Sequence, residues 1–460
     1  MIEREEGRMP DVDANECWVP ERARGYMRAQ GFSTRALEDM EPHVREWDSW
    51  MRAVGEFYDY RDTDGFGRVY QVQRRTIMPA MRVCREWGSL LLDEKTTVAC
   101  GDQRCTDWLG SFFLASNFWG RAQGTVARAF GVGTGAFALW LDVGRKSIKV
   151  RHYDARMVVP LSWDSEGITE CAFVTRAFLN GEAIDQVQMH EVGGDGAYLI
   201  RTACFDKDGR EVSVPGVSPE VKTESMFPTF GIVRPAVPNT RVDFSPYGQS
   251  VFADAIDAVQ SVDLAYDALI NEIDTGKMQV FLSDVMFDQE KTPDGRRVPI
   301  PFGKGDCTVF RKVMSTEDTI TEFAPALRTE AQGKAFRLAL QVLGDLVGLG
   351  VNYFDTDNVG YVKTATKVSS DNSALMRNIR KNESALTGAL VGISRAVMAC
   401  ARNMGLELPD EGDVSVIFDD SIIQDTASEK QQDMAEVATE LLTREEFRTK
   451  WYGEAATTGE

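Results

Sequence analysis

The sequence predicts an α+β protein, mainly helical, and three observations carry that reading. Apolar residues recur at spacings of three and four through long stretches before residue 130 and after residue 250. Between them, short runs of β-branched and aromatic residues alternate with turn signals. Hydrophobic residues make up 43% of the 460 positions, enough for a substantial core.

The first 130 residues read as helices rich in Trp and Arg, as in "EPHVREWDSWMRAVGEFYDY" and "DWLGSFFLASNFWGRAQGTVARAF". The β-rich stretch, 131–243, holds "KSIKVRHYDARMVV", "GITECAFVTRAFLN" and "GAYLIRTACFDKDGREVSV", with Asp208-Gly209 as a hairpin signal. Pro246-Tyr247-Gly248 then marks a boundary, and a helix is expected from about Ser250 to Asp274. Its stripe is Phe252, Ile256, Val259, Val262, Tyr266, Ile270 and Ile273. This stretch carries Asp254, Asp257, Asp263, Asp267, Glu272 and Asp274 and no base. A solvated face normally mixes the signs, so the helix is expected to present negative charge.

A small β unit follows, with "KMQVFLSDVMF", the turn "TPDGRR" and "DCTVFRKV". A second helix is expected from about Arg328 to Leu349, and a third from about Thr364 to Asn403. The stripe of the third is Ala365, Val368, Leu375, Ile379, Leu386, Leu390, Ile393, Val397 and Cys400, with Asn372 among them. The tail reads as the strand "DVSVIFDD" and two helices.

Several function classes are disfavoured. A net charge of -20, from 71 acids and 51 bases, suits neither tight phosphate gripping nor docking on anionic lipid. The opening residues lack the apolar core of a secretory signal, so a reducing cytoplasm and buried, idle thiols are expected for the eight cysteines. Cys100 and Cys105 have no second Cys or His pair to complete a zinc site. "LALQVLGDLVGLG" is too short to span a bilayer and "ALTGALVGISRAVMACA" is interrupted by Arg395, so no membrane partner is expected. "HEVGG" at His190 lacks the second His of a zinc protease and reads as a strand end beside a turn. The Gly-Lys pairs at Gly276, Gly303 and Gly333 lack the first glycine of a phosphate loop. "GVGTGAF" runs into a strand-like segment and reads as close packing or a strand entrance. No nucleophile elbow occurs. Neither enzymatic activity nor a cofactor is expected.

Asp355-Thr356-Asp357-Asn358-Val359-Gly360 starts like a calcium loop. Its position 5 is Val359 and its position 12 is Thr366, where a bidentate Glu should close the sphere. "DTDGFGRVYQVQ", from Asp62, fails at the same two positions, with Phe66 and Gln73. Both are expected to be turns in which Asp side chains bond the backbone, and no metal is expected.

The order of acidic helix, small β unit, return helix, loop and long helix resembles the portal proteins of tailed bacteriophages. "PYGQSVFADAIDAVQSVDLAYDALINEIDTGKMQVFL", "TITEFAPALRTEAQGKAFRLALQVLGDLVGLGVNYF" and "VGYVKTATKVSSDNSALMRNIRKNESAL" carry the likeness, over about 245–400. The resemblance implies a wing over 1–244, a stem helix over 245–276 and a clip over 277–315. It further implies a return stem helix over 316–349, a tunnel loop over 350–362, a long wing helix over 363–405 and a crown over 406–460. Asn352, Tyr353, Phe354, Asp355, Thr356, Asp357, Asn358 and Tyr361 would then form the DNA tunnel loop, and Asp294, Arg296 and Arg297 would lie in the clip.

By the same resemblance the chain would form a ring, usually of twelve copies, at one capsid vertex of the virion, after assembly in the host cytoplasm. Double-stranded DNA would be packaged through it and later ejected. The partners would be the terminase large subunit, which carries the ATPase, the head-to-tail adaptor, and the major capsid and scaffold proteins. Acid-rich helices around a pore would repel the backbone and keep the duplex centred, within the screening length of about 10 Å at 0.1 M salt. Two readings from other classes stand beside it. One is a cytoplasmic metal-dependent enzyme using the loop from Asp355, and the other is a scaffold or adaptor without a channel.

Overall fold

The computed structural model describes residues 18–63, 67–93, 95–142, 146–179, 182–214, 216–276, 279–283, 289–291, 297–299, 309–312, 321–323, 326–354 and 365–418, with 433, 434, 437, 443 and 447 of the tail. Helices and sheets are both present, as an α+β protein requires.

The N-terminal part holds α1 (Glu21–Ala29), α2 (Arg35–Arg52), α3 (Pro79–Leu91), α4 (Gln103–Ala115) and α5 (Phe118–Val132). Their apolar faces converge on Met27, Met40, Trp47, Trp87, Phe113, Phe118 and Phe130, all buried. One departure from the helical expectation is the ribbon of β1 (Asp59–Thr63) and β2 (Val69–Gln73), paired antiparallel. The second calcium-like stretch, from Asp62, is therefore part of a hairpin. Its alternating Val69, Tyr70, Gln71, Val72 and Gln73 have the period of a strand. A short strand β3 (Thr97–Cys100) precedes α4.

The middle region is β-rich, as expected. Strands β4 (Gly135–Asp142), β5 (Ser147–Asp154), β6 (Val158–Trp163), β7 (Ile168–Leu179), β8 (Glu182–Val192), β9 (Tyr198–Phe205), β10 (Glu220–Lys222) and β11 (Phe230–Val233) form two sheets. The orders are β10-β9-β8-β7-β6 and β11-β4-β5, with every pairing antiparallel. A second apolar cluster includes Ala136, Tyr153, Val158, Phe173 and Phe230. "GVGTGAF" is indeed a strand entrance at close packing. At Gly133 (φ 85°) a Cβ would lie 2.4 Å from the Gly248 carbonyl oxygen. His190 lies near the end of β8, before the turn at Gly193.

The next helix, α6 (Ile256–Thr275), starts six residues later than the periodicity suggests. Residues 250–255 instead make turns, in which the Val251 N–H donates to the Phe130 carbonyl at 2.9 Å and the Ser250 carbonyl accepts from the Ala253 N–H at 3.1 Å. The short strands β12 (Gln279–Ser283), β13 (Gln289–Lys291), β14 (Arg297–Pro299), β15 (Val309–Lys312) and β16 (Thr321–Phe323) follow. β12 pairs in parallel with β15 and antiparallel with β16, and β13 pairs with β14. The chain returns in α7 (Thr329–Leu346) and continues in α8 (Ala365–Asn403) and β17 (Val414–Ile417), which pairs with β3.

Among the described residues, α8 is the helix with length and composition to cross a membrane, over Ala374–Asn403. Its apolar stripe is instead buried in the protein, at Ile379, Leu386, Leu390, Ile393, Val397 and Cys400. β11 presses against it so closely that a Cβ at Gly231 would lie 2.4 Å from the Ala389 carbonyl oxygen. The Ala365, Val368 and Asn372 side chains, and most of the expected tail helices, lie outside the described residues. Cys84, Cys105, Cys171, Cys204 and Cys400 are buried free thiols, and Cys100 is half-buried.

Candidate functional site

α6 and α7 form an antiparallel hairpin with the small strands at its far end. Glu272, in the last turn of α6, bonds Arg328 at the start of α7. Farther along, the Tyr266 and Phe336 rings lie 6.0 Å apart. The two chain directions are thereby opposed.

The acids of α6 do not form the open negative face that their sequence suggests. Asp263 is completely buried and accepts three hydrogen bonds. The Tyr58 and Thr76 hydroxyls donate to Oδ2 at 2.8 Å each, and the Ile77 N–H donates to Oδ1 at 3.0 Å. Burial raises its pKa, against the lowering effect of these three donors and of Arg74. Asp267 lies 3.9 Å from Arg74 Nη1, and Asp274 pairs with Arg75 at 2.5 Å. Arg75 also donates to the Asn271 side-chain oxygen at 3.0 Å. Glu272 accepts from Arg328 Nη2 at 2.7 Å, from its Nε at 3.2 Å and from its backbone N–H at 3.0 Å. These bonds hold its pKa down at about 2. Asp254, ahead of the helix, accepts from Gln249 at 2.8 Å and from Arg241 at 3.4 Å. Asp257 stays exposed in the first turn, where the helix dipole favours an anion. The expectation of a uniformly negative face is therefore corrected. One acid serves the fold and four are locally paired, by bases that lie outside the helix in sequence.

The segment that follows α7 is anchored at its start. Gly348 and Gly350 take φ of 80° and 92°, and the Leu349 and Gly350 N–H groups both donate to the Gly344 carbonyl at 2.9 Å. Trp87 Nε1 donates to the Val347 carbonyl at 3.1 Å, and Asn378 Nδ2 donates to the Gly348 carbonyl at 2.9 Å. The Tyr353 hydroxyl donates to Glu86 Oε2 at 2.7 Å. Burial, then the bond to Glu86, pushes the Tyr353 pKa well up. Phe354 is buried with the Arg82 guanidinium 4.9 Å from its ring centroid. Of the loop residues singled out in the sequence, Asn352 is exposed, whereas Tyr353 and Phe354 pack against α3 as anchors. Asp355, Thr356, Asp357, Asn358 and Tyr361 lie outside the described residues. So do Asp294 and Arg296; Arg297 pairs with Lys291 in the β13–β14 hairpin.

Two features had no counterpart in the sequence reading. The arm around β1–β2 docks on α6 through Tyr58, Arg74, Arg75, Thr76 and Ile77; the adjacent bases in "QRRT" were its signal. The other is the outer face of α7, where Leu338, Val342 and Leu346 are 62%, 47% and 56% exposed. They are four residues apart, on one stripe. Ala331 and Ala335 extend the exposed face toward the start of the helix. Among the described residues, no three His, Cys, Asp or Glu side chains cluster as metal ligands would.

No family model matches the sequence, and no curated protein does. Among solved structures, the chain is similar to one from the virion of a native gene transfer agent particle. The identity is 12% and the TM-score 0.39, over 91% of this chain and 98% of that one. A chain from the neck of a native particle, computed with C12 symmetry, aligns at 13% identity and TM-score 0.37, over 81% and 89% of the two chains. One from the neck of an empty particle, computed with C6 symmetry, aligns at 12% and 0.38, over 81% and 88%.

Proposed function

We propose that this chain is a portal subunit, which assembles into a ring at one capsid vertex and lines a channel for double-stranded DNA. The observation that carries the reading is the outer face of α7. A stripe of large aliphatic residues left in water on one helix of a projecting hairpin is unfavourable in a lone subunit, and a neighbouring copy would bury it. The order of hairpin, terminal β unit, anchored loop and long core helix supports the same assignment, with α6 and α7 as stem and β12–β16 as clip. The strands at the hairpin's far end would meet the terminase motor and later the adaptor. The helical and β-rich N-terminal part would face capsid and scaffold as the wing, and the region after α8 would form the crown.

The charges of α6 suit a channel in a different way from simple repulsion. Sliding requires that the wall not hold phosphates, because each fixed base that neutralises one adds affinity and a barrier. Arg74, Arg75 and Arg328 are each engaged by a carboxylate of α6, so a passing phosphate would have to displace an existing partner. Asp257 and the net charge of -20 add weak repulsion. The role is structural, and no step of it needs catalysis by this chain.

Sedimentation velocity and negative-stain imaging of the purified chain test the proposal. Closed rings with a central hole are expected, and a strict monomer at high concentration overturns it.

A further inference from the structure

Arg234, directly after β11, is half-buried and pairs with no carboxylate among the described residues. A guanidinium carries five N–H donors. Here Nη1 donates to the Pro246 carbonyl at 2.9 Å, and no other described acceptor takes the remaining donors. The enclosed Arg24, Arg74 and Arg156 instead face Glu41, Asp267 and Asp154. A charge withdrawn from water without a partner is costly. Burial accordingly lowers the Arg234 pKa, with no carboxylate raising it. The side chain is also fixed in place. Its stem packs on Gly248, where a Cβ would lie 3.1 Å from the Arg234 Cβ and 3.2 Å from its Cγ.

Arg234 lines a cavity of about 540 Å³ between the linker after β11 and α8. Lys381 and Ala385 supply the α8 wall, and Ile232, Val237 and Pro238 add apolar surface. None of its described lining residues is an acid. On its other side Arg234 borders a second cavity, of about 460 Å³, which does carry Asp164 and Glu166. There the Glu166 and Gly167 N–H groups donate to Asp164 Oδ1 at 2.8 and 3.1 Å, and neither carboxylate pairs with Arg234. The first cavity opens toward more positive charge. Arg377 lies one turn before Lys381 on α8, with Arg380 between them, and all three are exposed. None of the three pairs with a described acid. In a chain of 71 acids and 51 bases, these four bases stand together without a carboxylate.

We propose that this cleft binds an acidic, extended segment of a partner protein, with one carboxylate seated on Arg234. Further acids of the segment would follow Lys381, Arg377 and Arg380 along α8. The free donors of a guanidinium match a carboxylate in a planar, two-bond geometry. The apolar wall suits the intervening side chains of a peptide. A duplex carries its phosphates on a convex surface and cannot bring one against a base recessed in a cavity. Free phosphate would leave the apolar wall and the α8 bases unused. The site is separate from the α7 face and does not depend on ring formation.

The test is fluorescence anisotropy of the full chain with a labelled octapeptide of alternating Glu and Val. Micromolar binding that weakens with added salt is expected. Arg234→Gln and Lys381→Ala should each weaken it by about tenfold, the scale of one charge-assisted bond. Lys381 is exposed, and an unchanged thermal midpoint will confirm that its variant is intact. Arg234→Glu combined with Lys381→Glu should lose the acidic peptide and bind the matching Lys–Val octapeptide. No binding of the acidic peptide by the wild type at millimolar concentration overturns the proposal. Binding that survives both single substitutions does the same. Tighter binding of a short DNA duplex or of inorganic phosphate, lost in the same variants, overturns the assignment to a peptide.

Discussion

The Tyr353 hydroxyl donates a 2.7 Å hydrogen bond to Glu86, across the junction between α3 and the segment that follows α7. Tyr353 packs against the main apolar core, of which Phe354 is part, and the bond fixes where that segment begins. Tyr353→Phe keeps the ring and removes the donor. A bond to a carboxylate contributes about 1.5–3 kcal/mol, and here the loss should be local. Amide exchange should accelerate over residues 348–354, while the global unfolding midpoint should fall only slightly. Unchanged exchange there would show that Trp87 and Asn378 suffice as anchors.

Asp263 and Asp257 lie on the same helix and should differ several-fold in the cost of losing the carboxylate. Asp263→Ala leaves the Tyr58, Thr76 and Ile77 donors without their acceptor in a buried site, at a cost of about 3 kcal/mol or more. Asp257→Ala removes an exposed charge and should cost about 0.5 kcal/mol. Denaturant unfolding of the two variants measures both, and similar losses would contradict the assignment of Asp263 as a structural residue.

This contrast also marks where the sequence could be read and where it could not. The span of α8 was legible because its apolar period runs for many turns. The strands after residue 131 were legible from β-branched runs and turn residues. The side-chain role of Asp263 was not, because Tyr58, Thr76 and Ile77 meet it only through the tertiary fold. Arg74 and Arg75 likewise neutralise α6 from a distant ribbon, which the sequence offered as a failed calcium loop. The start of α6 was misplaced because Phe252 continues the apolar period although residues 250–255 form turns against α5. Tyr353 and Phe354 looked like loop residues by position, and only their contacts with Glu86 and Arg82 show them to be anchors.

Two histidines, His190 buried and His152 half-buried, make the fold acid-sensitive. His190 bonds Thr229 through Nδ1 at 2.6 Å, and burial pushes its pKa down to about 3. Burial, with Arg121 adding to it, pushes that of His152 to about 4. Both are neutral in the fold, whereas the unfolded chain binds protons near pH 6.5. Their contribution is therefore intact above about pH 6.5 and is lost as pH falls toward 4 and 3. Each costs up to about 1.4 kcal/mol per pH unit in that window. Glu272 adds a loss in the same direction below its unfolded pKa, and Asp263, with its raised pKa, opposes it. In urea unfolding at pH 7 and pH 5, His190→Gln should reduce the difference by about 2 kcal/mol. An equal difference in variant and wild type would refute the role of His190.

Gly231 sets the distance between β11 and α8. A methyl group there would lie 2.4 Å from the Ala389 carbonyl oxygen and 3.0 Å from its Cα, so helix and strand must separate to admit it. Overpacking of a rigid backbone contact costs about 1–3 kcal/mol or more. Gly231→Ala should therefore lower the unfolding midpoint clearly, whereas Gly388→Ala, with open space around it, should be neutral or slightly stabilising. Equal midpoints would mean that the strand shifts freely.

The exposed face of α7 separates subunit stability from assembly. Leu338 and Val342 contribute little to a lone subunit, since each is about half exposed or more. Replacing both with Ser should leave the unfolding midpoint of the dissociated subunit within about 1 kcal/mol of wild type. In a ring, each site loses an apolar contact with its neighbour, about 1–2 kcal/mol per side chain at 25 cal/mol per Å². The loss recurs at every junction, so closed rings should give way to monomers and short arcs at concentrations where the wild type is fully assembled. Leu343→Ser, one turn position away but buried in the hairpin, should do the reverse, destabilising the subunit itself. If the Leu338 and Val342 changes lower subunit stability while rings persist, the face packs within the chain and the helix that lines the junction must be sought elsewhere.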